Sequence, residues 1–150
     1  MPQSLTRIYL HIVFSTKHRE ATIDDTIKDD LHSYIGALCR ERDCQPVEIG
    51  GYTDHVHILC ILSRKITVMK LLEDIKKYSS RWIKSKGDDY AAFYWQDGYA
   101  AFSVGYTEVQ KVADYIRDQE KHHAVQSYQT ECRKLLKKYD VDYDEKYFWE

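Results

Sequence analysis

The chain has 150 residues, 43% hydrophobic and 31% charged, with a formal net charge of −2. That length and composition lead us to expect one globular domain, residues 1–150. The near-neutral balance excludes a protein that coats nucleic acid indiscriminately. No run approaches the roughly 18 apolar residues of a membrane span, and the leading residues lack a signal-peptide core, so a cytoplasmic protein is expected. Cys39, Cys44, Cys60 and Cys132 contain no CxxC pair and are expected as reduced thiols, not a zinc site.

Residues 5–15 alternate as a strand, with Ile8, Leu10, Ile12 and Phe14 on one face and Tyr9, His11 and Val13 on the other. Apolar residues on both faces make it a central strand. His11 is either a packed or hydrogen-bonded histidine or part of a metal site. Lys17, His18 and Arg19 form a basic loop at its end. A helix over 25–42, capped by Asp24 or Asp25, turns Ile27, Leu31, Tyr34, Ile35 and Leu38 inward.

A short strand at 44–49 then enters a hairpin through Gly50-Gly51, and the return strand begins His55-Val56-His57-Ile58-Leu59-Cys60. Alternation puts His55 and His57 on the same face, where adjacent imidazoles can serve one divalent metal. With a loop from Gly51 to Asp54, Gly50 opposes His55 and Glu48 opposes His57, making Glu48 a candidate neighbour of the pair. A slip of one residue turns it away. Asp54 either orients an imidazole or stabilises the turn.

Thr67 caps a helix over 68–86 with the stripe Val68, Met69, Leu72, Ile75, Ser79, Trp82 and Ile83. Residues 64–86 hold eight basic side chains against two acidic, whereas 88–150 hold eight against thirteen. Lys76, Lys77, Arg81 and Lys84, with Lys17 and Arg19, are therefore candidates for phosphate contact. Residues 94–105 predict an aromatic-rich strand whose rings pack or stack on bases. A helix over 109–123 turns Val109, Val112, Ala113 and Ile116 inward, with Tyr115, Gln119 and His122 along its border. Residues 127–150 predict a basic helix and a polar, aromatic tail.

The order strand, helix, strand, strand, helix, strand defines an α+β fold, the βαββαβ split unit. Its antiparallel sheet carries two helices on one face, and the histidine face is free for the third helix or a ligand.

Three stretches together, Asp54-His55-Val56-His57-Ile58-Leu59, Tyr94 to Val104, and Val112 to His123, resemble the single-tyrosine HUH transposases of bacterial and archaeal insertion sequences. Tyr139 to Tyr147 is similar to the ending of that group. The resemblance covers nearly the whole chain and keeps the order and separation of the motifs. It implies a ferredoxin-like fold with an additional C-terminal tyrosine-bearing helix, acting as a homodimer on single-stranded DNA with hairpin-containing element ends. It implies His55 and His57 as the HUH pair, Tyr115 as nucleophile and Gln119 as third ligand to Mg²⁺ or Mn²⁺. Glu48, Asp54 and His122 are candidates for an outer shell. It further implies that the tyrosine helix of one subunit meets the histidines of the other, and that the protein joins the nucleoid when bound to DNA. Forming phenolate at pH 7 from a tyrosine of pKa about 10 costs about 4 kcal/mol, which such a metal would help to supply.

Three other readings fit the residues. A domesticated relative would process chromosomal hairpin repeats, and a replication initiator or relaxase would carry extra domains. A silent module on an RRM-like sheet would bind single strands without metal.

Overall fold

The structure is a computed structural model and describes residues 2–150. Among them, β1 (Tyr9–Ser15), β2 (Pro46–Tyr52), β3 (His55–Ile61) and β4 (Ala100–Val104) form one antiparallel sheet in the order β2-β3-β1-β4. Helices α1 (Lys28–Glu41) and α2 (Val68–Lys84) cross between β1 and β2 and between β3 and β4. This is the expected βαββαβ arrangement.

The pleat of β1 divides the interior. Leu10, Ile12 and Phe14 meet Val56, Ile58 and Cys60 across the β1–β3 pair and pack under Leu31 and Ile35 of α1 and Leu72 and Ile75 of α2. Fully burying side chains of this size contributes roughly 1.5–3 kcal/mol each. His11 and Val13 point the other way, as do His55, His57 and Leu59 of β3 and Phe102 and Val104 of β4. That second face is covered by α3 (Val109–Arg117), α4 (Gln119–His123) and α5 (Tyr128–Lys138).

Several predicted boundaries move. The first helix begins at Lys28, and its N-cap position, Ile27, makes no side-chain cap. Asp24 instead closes the preceding turn, its carboxylate accepting from the Thr26 amide at 3.1 Å and from the Tyr90 hydroxyl. Thr67 does cap α2, accepting from the Lys70 amide, but Met69 is exposed and Leu71 takes the buried place. The aromatic strand shrinks to Ala100–Val104. Trp95 keeps one bridge to Thr16 and buries its ring against Phe14 and Phe93, its indole N–H donating to Ser79 at 3.0 Å. The predicted 109–123 helix breaks at Asp118 into α3 and α4.

The hairpin register also differs by two residues. β2 runs on through both glycines, so Tyr52 opposes His55, Gly50 opposes His57 and Glu48 opposes Leu59, with an irregularity between Pro46 and Glu48. The turn tightens to Thr53-Asp54. Glu48 keeps the predicted face but lies two residue pairs further from the turn, where it accepts from the Arg117 guanidinium at 2.9 Å.

Gly50 is needed where it stands because the end of α3 rests on it. A Cβ there would lie 2.5 Å from the Ile116 carbonyl oxygen and 3.0 Å from its Cγ2. Only a hydrogen lets the helix backbone approach the strand this closely. Gly50→Ala is expected to destabilise the fold by roughly 1–3 kcal/mol, measured by urea unfolding, because α3 must lift from the sheet. Unchanged stability would mean that α3 does not rest there in solution.

Candidate active site

His55 and His57 open β3 directly after the turn, and both are fully buried. The Asp54 carboxylate accepts from His55 Nδ1 at 2.7 Å, which leaves Nε2 as the ring's lone-pair nitrogen in its neutral form. That nitrogen faces Gln119 Oε1 at 2.9 Å and Glu131 Oε1 at 3.3 Å. His123 repeats the arrangement. Its Nδ1 donates to the Gln126 carbonyl at 2.8 Å, and its Nε2 lies 3.0 Å from Gln119 Oε1 and 3.1 Å from Glu131 Oε1. His57 Nε2 is 3.0 Å from the same carboxylate oxygen, while its Nδ1 meets His11 Nε2 at 2.7 Å.

Lone pairs thus converge on lone pairs. Acceptors this close repel unless a proton or a cation lies among them. The donor set of imidazole nitrogens, one carboxylate oxygen and one amide oxygen suits a divalent ion. His55, His57 and Glu131 alone bring one ligand atom each within 4.8 Å of one another. Asp54 behind His55 is the carboxylate that commonly fixes a ligating imidazole.

Electrostatics follow the geometry. Burial alone would depress His55, but hydrogen bonds to Asp54 and Glu131 outweigh it and push the imidazole up to about 9. Burial dominates at His57, which is lowered, and at His11, pushed down to about 3 with help from His57. At Glu131, close contacts with the imidazoles of His123, His55 and His57 outweigh burial and hold the carboxyl well below the usual carboxylate range.

Tyr115 reaches the same carboxylate from α3. Its hydroxyl donates to Glu131 Oε2, and the Gln119 amide nitrogen donates to that oxygen at 3.0 Å. Burial and then the Glu131 charge raise the phenol above its ordinary value, so the resting group is a protonated phenol. Tyr115 lies beside the histidines of its own chain, its ring centroid 5.9 Å from that of His57.

The structure therefore brings His55, His57, Tyr115, Gln119 and Asp54 together. Glu48 is elsewhere, paired with Arg117. His122 packs its ring on Tyr115 at 4.6 Å and stays out of the cluster; the break at Asp118 turns His123 inward instead. The four basic candidates on α2 lie apart, since α2 covers the opposite face of the sheet. The Lys76 ammonium donates to the carbonyls of Gln96, Asp97 and Gly98, clamping the approach to β4. Arg19 donates to the Trp149 carbonyl, Lys84 sits 4.2 Å over the Tyr94 ring, and Lys77 and Arg81 flank Tyr78. Lys17 is in a short helical turn after β1.

Sequence reasoning missed His123 and Glu131. A signal for Glu131 was present: Tyr128, Cys132 and Leu136 form an apolar helical stripe with one carboxylate inside it, and all four are buried. A charge in a core stripe requires partners.

Comparison with known proteins places the chain. The family described as "Transposase IS200 like" matches residues 4–119, and the chain belongs to that family. It is similar to the transposase for insertion sequence element IS200 of Salmonella typhimurium, 27% identical over 114 residues, covering 73% of this chain and 74% of the relative. The Salmonella typhi transposase of the same element matches equally. Among solved structures, a putative transposase from Deinococcus radiodurans R1 superposes with a TM-score of 0.62 at 19% identity, covering 79% of this chain and 98% of that one. A REP-associated tyrosine transposase bound to a REP hairpin gives 0.60 at 14% identity, covering 82% and 73%. Both support the fold. The matched family segment stops at Gln119, so His123 and Glu131 lie beyond it. No helix among the described residues is long and apolar enough to cross a membrane.

For a cation held by this cluster, the pH dependence of uptake would have a definite sign. His55, raised to about 9, carries at pH 7 a proton that an incoming cation must displace from Nε2. Apparent Mn²⁺ affinity, followed by the free-ion electron paramagnetic resonance signal, is expected to rise about tenfold per pH unit from neutrality and level off above about 9. A flat profile would contradict the cluster's role.

Proposed function

We propose that this transposase cuts and rejoins single-stranded DNA through a 5′-phosphotyrosine on Tyr115, mobilising an insertion sequence. The observation that carries the reading is one carboxylate with two duties: Glu131 Oε2 accepts from the Tyr115 hydroxyl while Oε1 faces His55, His57 and His123. A nucleophile and a cation-type cluster thus share a residue. His55, His57, Glu131 and Gln119 would hold Mg²⁺ or Mn²⁺. When bound there, the ion would offset the Glu131 charge that disfavours phenolate and would polarise the scissile phosphate.

The chain's own residues supply the rest. Asp54 and His11 fix the two imidazoles from behind. Gln119 spans the cluster, its oxygen toward the histidines and its nitrogen on Glu131. Glu131 orients the phenol. In cleavage, the Tyr115 oxygen bonds to phosphorus, the bond from phosphorus to the 3′ oxygen breaks, and that oxygen takes up a proton. The phenol proton leaves along its existing hydrogen bond or to solvent. Attack by a 3′-hydroxyl on the phosphotyrosine reverses these steps, so rejoining needs no external energy source.

The Tyr115–Glu131 and Arg117–Glu48 contacts are made within this chain. We therefore read the catalytic groups as belonging to one chain. The same chemistry on chromosomal hairpin repeats is the second reading, favoured by the similarity in fold to the hairpin-bound REP-associated transposase. A cytoplasmic, nucleoid-associated location accompanies either.

Incubation with labelled single strands from the element's own ends and Mn²⁺ is expected to give a denaturation-resistant adduct. Tyr115→Phe should abolish it while retaining Mn²⁺ and DNA binding; an adduct that survives would overturn the assignment. Mixing Tyr115→Phe chains with His57→Ala chains is expected to restore no adduct. Restoration would show that α3 is exchanged between chains.

A further inference from the structure

A cavity of about 450 Å³ opens between α3 and α5 directly beside the nucleophile. Tyr115, Glu131 and His11 form part of its lining, and Val112, Leu135 and Tyr139 give it apolar walls. Lys111 from α3 and Lys134 and Lys138 from α5 also line it. All three lysines are exposed. Their local partners are weak competitors for phosphate. Lys111 is 3.6 Å from the exposed Glu108 carboxylate, Lys134 donates to the neutral amide of Gln126 at 3.0 Å, and Lys138 lies 5.4 Å from the Tyr139 ring centroid.

We infer that this cleft is the nucleotide-binding site of the protein. The unpaired nucleotide next to the scissile phosphate lies against Val112, Leu135 and Tyr139, with its phosphates held by Lys111, Lys134 and Lys138. The inference rests on the proposed reaction at Tyr115 and adds the route by which the substrate reaches it.

Three observations favour it. The volume falls in the range of sites for small organic ligands and suits one flipped-out nucleotide, not a paired stack. Apolar walls below and ammonium groups around them match a base or sugar bearing phosphates. The cleft also adjoins the hydroxyl that must meet phosphorus, whereas the basic face of α2 lies across the sheet. Two of the lysines belong to α5, beyond the segment matched by the family, so this part of the substrate site is built from residues outside that match.

The test is anisotropy of a fluorescein-labelled single-stranded oligonucleotide of mixed sequence, titrated over a range of salt. The variants are the triple Lys111→Gln, Lys134→Gln, Lys138→Gln and, as a competing arm, Lys77→Gln, Arg81→Gln, Lys84→Gln. If each cleft lysine neutralises one phosphate, the salt slope of the first triple should fall by about 2, with binding roughly fiftyfold weaker near 150 mM salt. The exposed positions allow folding to be confirmed by an unchanged melting temperature. Wild-type affinity and slope in the cleft triple, or no binding by the wild-type protein, would overturn the inference. A protein that binds through the cleft but yields no Tyr115 adduct on its element end would refute the phosphotyrosine reading and leave the cleft standing.

Discussion

Everything on the histidine face depends on the Glu131 carboxylate. It is buried, and a buried carboxylate without partners costs several kcal/mol. Here its two oxygens take on His55, His57, His123, Gln119 and Tyr115 from three different elements, β3, α3 and α4. The group is over-determined: removing it would leave imidazoles, an amide and a phenol without a common partner. That connection makes the hydrogen-bond network and the geometry of the candidate site the same object.

The positions of those partners trace back to simple local rules. The pleat of β3 puts His55 and His57 on one face. The tight Thr53-Asp54 turn sets the Asp54 carboxylate against the first imidazole, and β1 supplies His11 behind the second. Gly50, opposite His57, has no side chain, so α3 can settle onto the sheet and bring Tyr115 within reach of the cluster. The Arg117–Glu48 pair is exposed and contributes little by itself, but it ties the same end of α3 to β2.

The framework was legible in the sequence because periodicity reports burial, and burial decides which face of a strand or helix turns inward. The alternation of Leu10, Ile12 and Phe14, and the spacing of Leu72, Ile75 and Ser79, locate the sheet and its helical cover. Register was less legible. Gly50-Gly51 signals a turn by composition, yet both residues remain in β2, because the close approach of Ile116 to Gly50 is a tertiary demand that local sequence does not display. For the same reason Glu48 was placed opposite the wrong residue. Residues near Tyr115 were approached through an unbroken helix, so His122 was placed on the stripe and His123 was overlooked; the break at Asp118 changes which ring faces inward.

Glu131 was hidden by its surroundings. Arg133, Lys134, Lys137 and Lys138 give α5 a basic character that masks one acid on its inner side. What places that acid is apolar packing. Tyr128, one turn before it, lies under His55 with ring centroids 4.7 Å apart, and Cys132 and Leu136 pack with Val13 and Phe102. Ser127 caps the helix by accepting from the Thr130 amide and so fixes where its first turn begins. The helix is therefore held in rotation and in register by contacts that involve no chemistry, and Glu131 is carried into the cluster as a consequence. A segment that follows the family-matched residues thus does more than cover the sheet. By burying its apolar stripe, it delivers the carboxylate that joins Tyr115 to the histidines, while Lys134 and Lys138 of the same helix line the cleft.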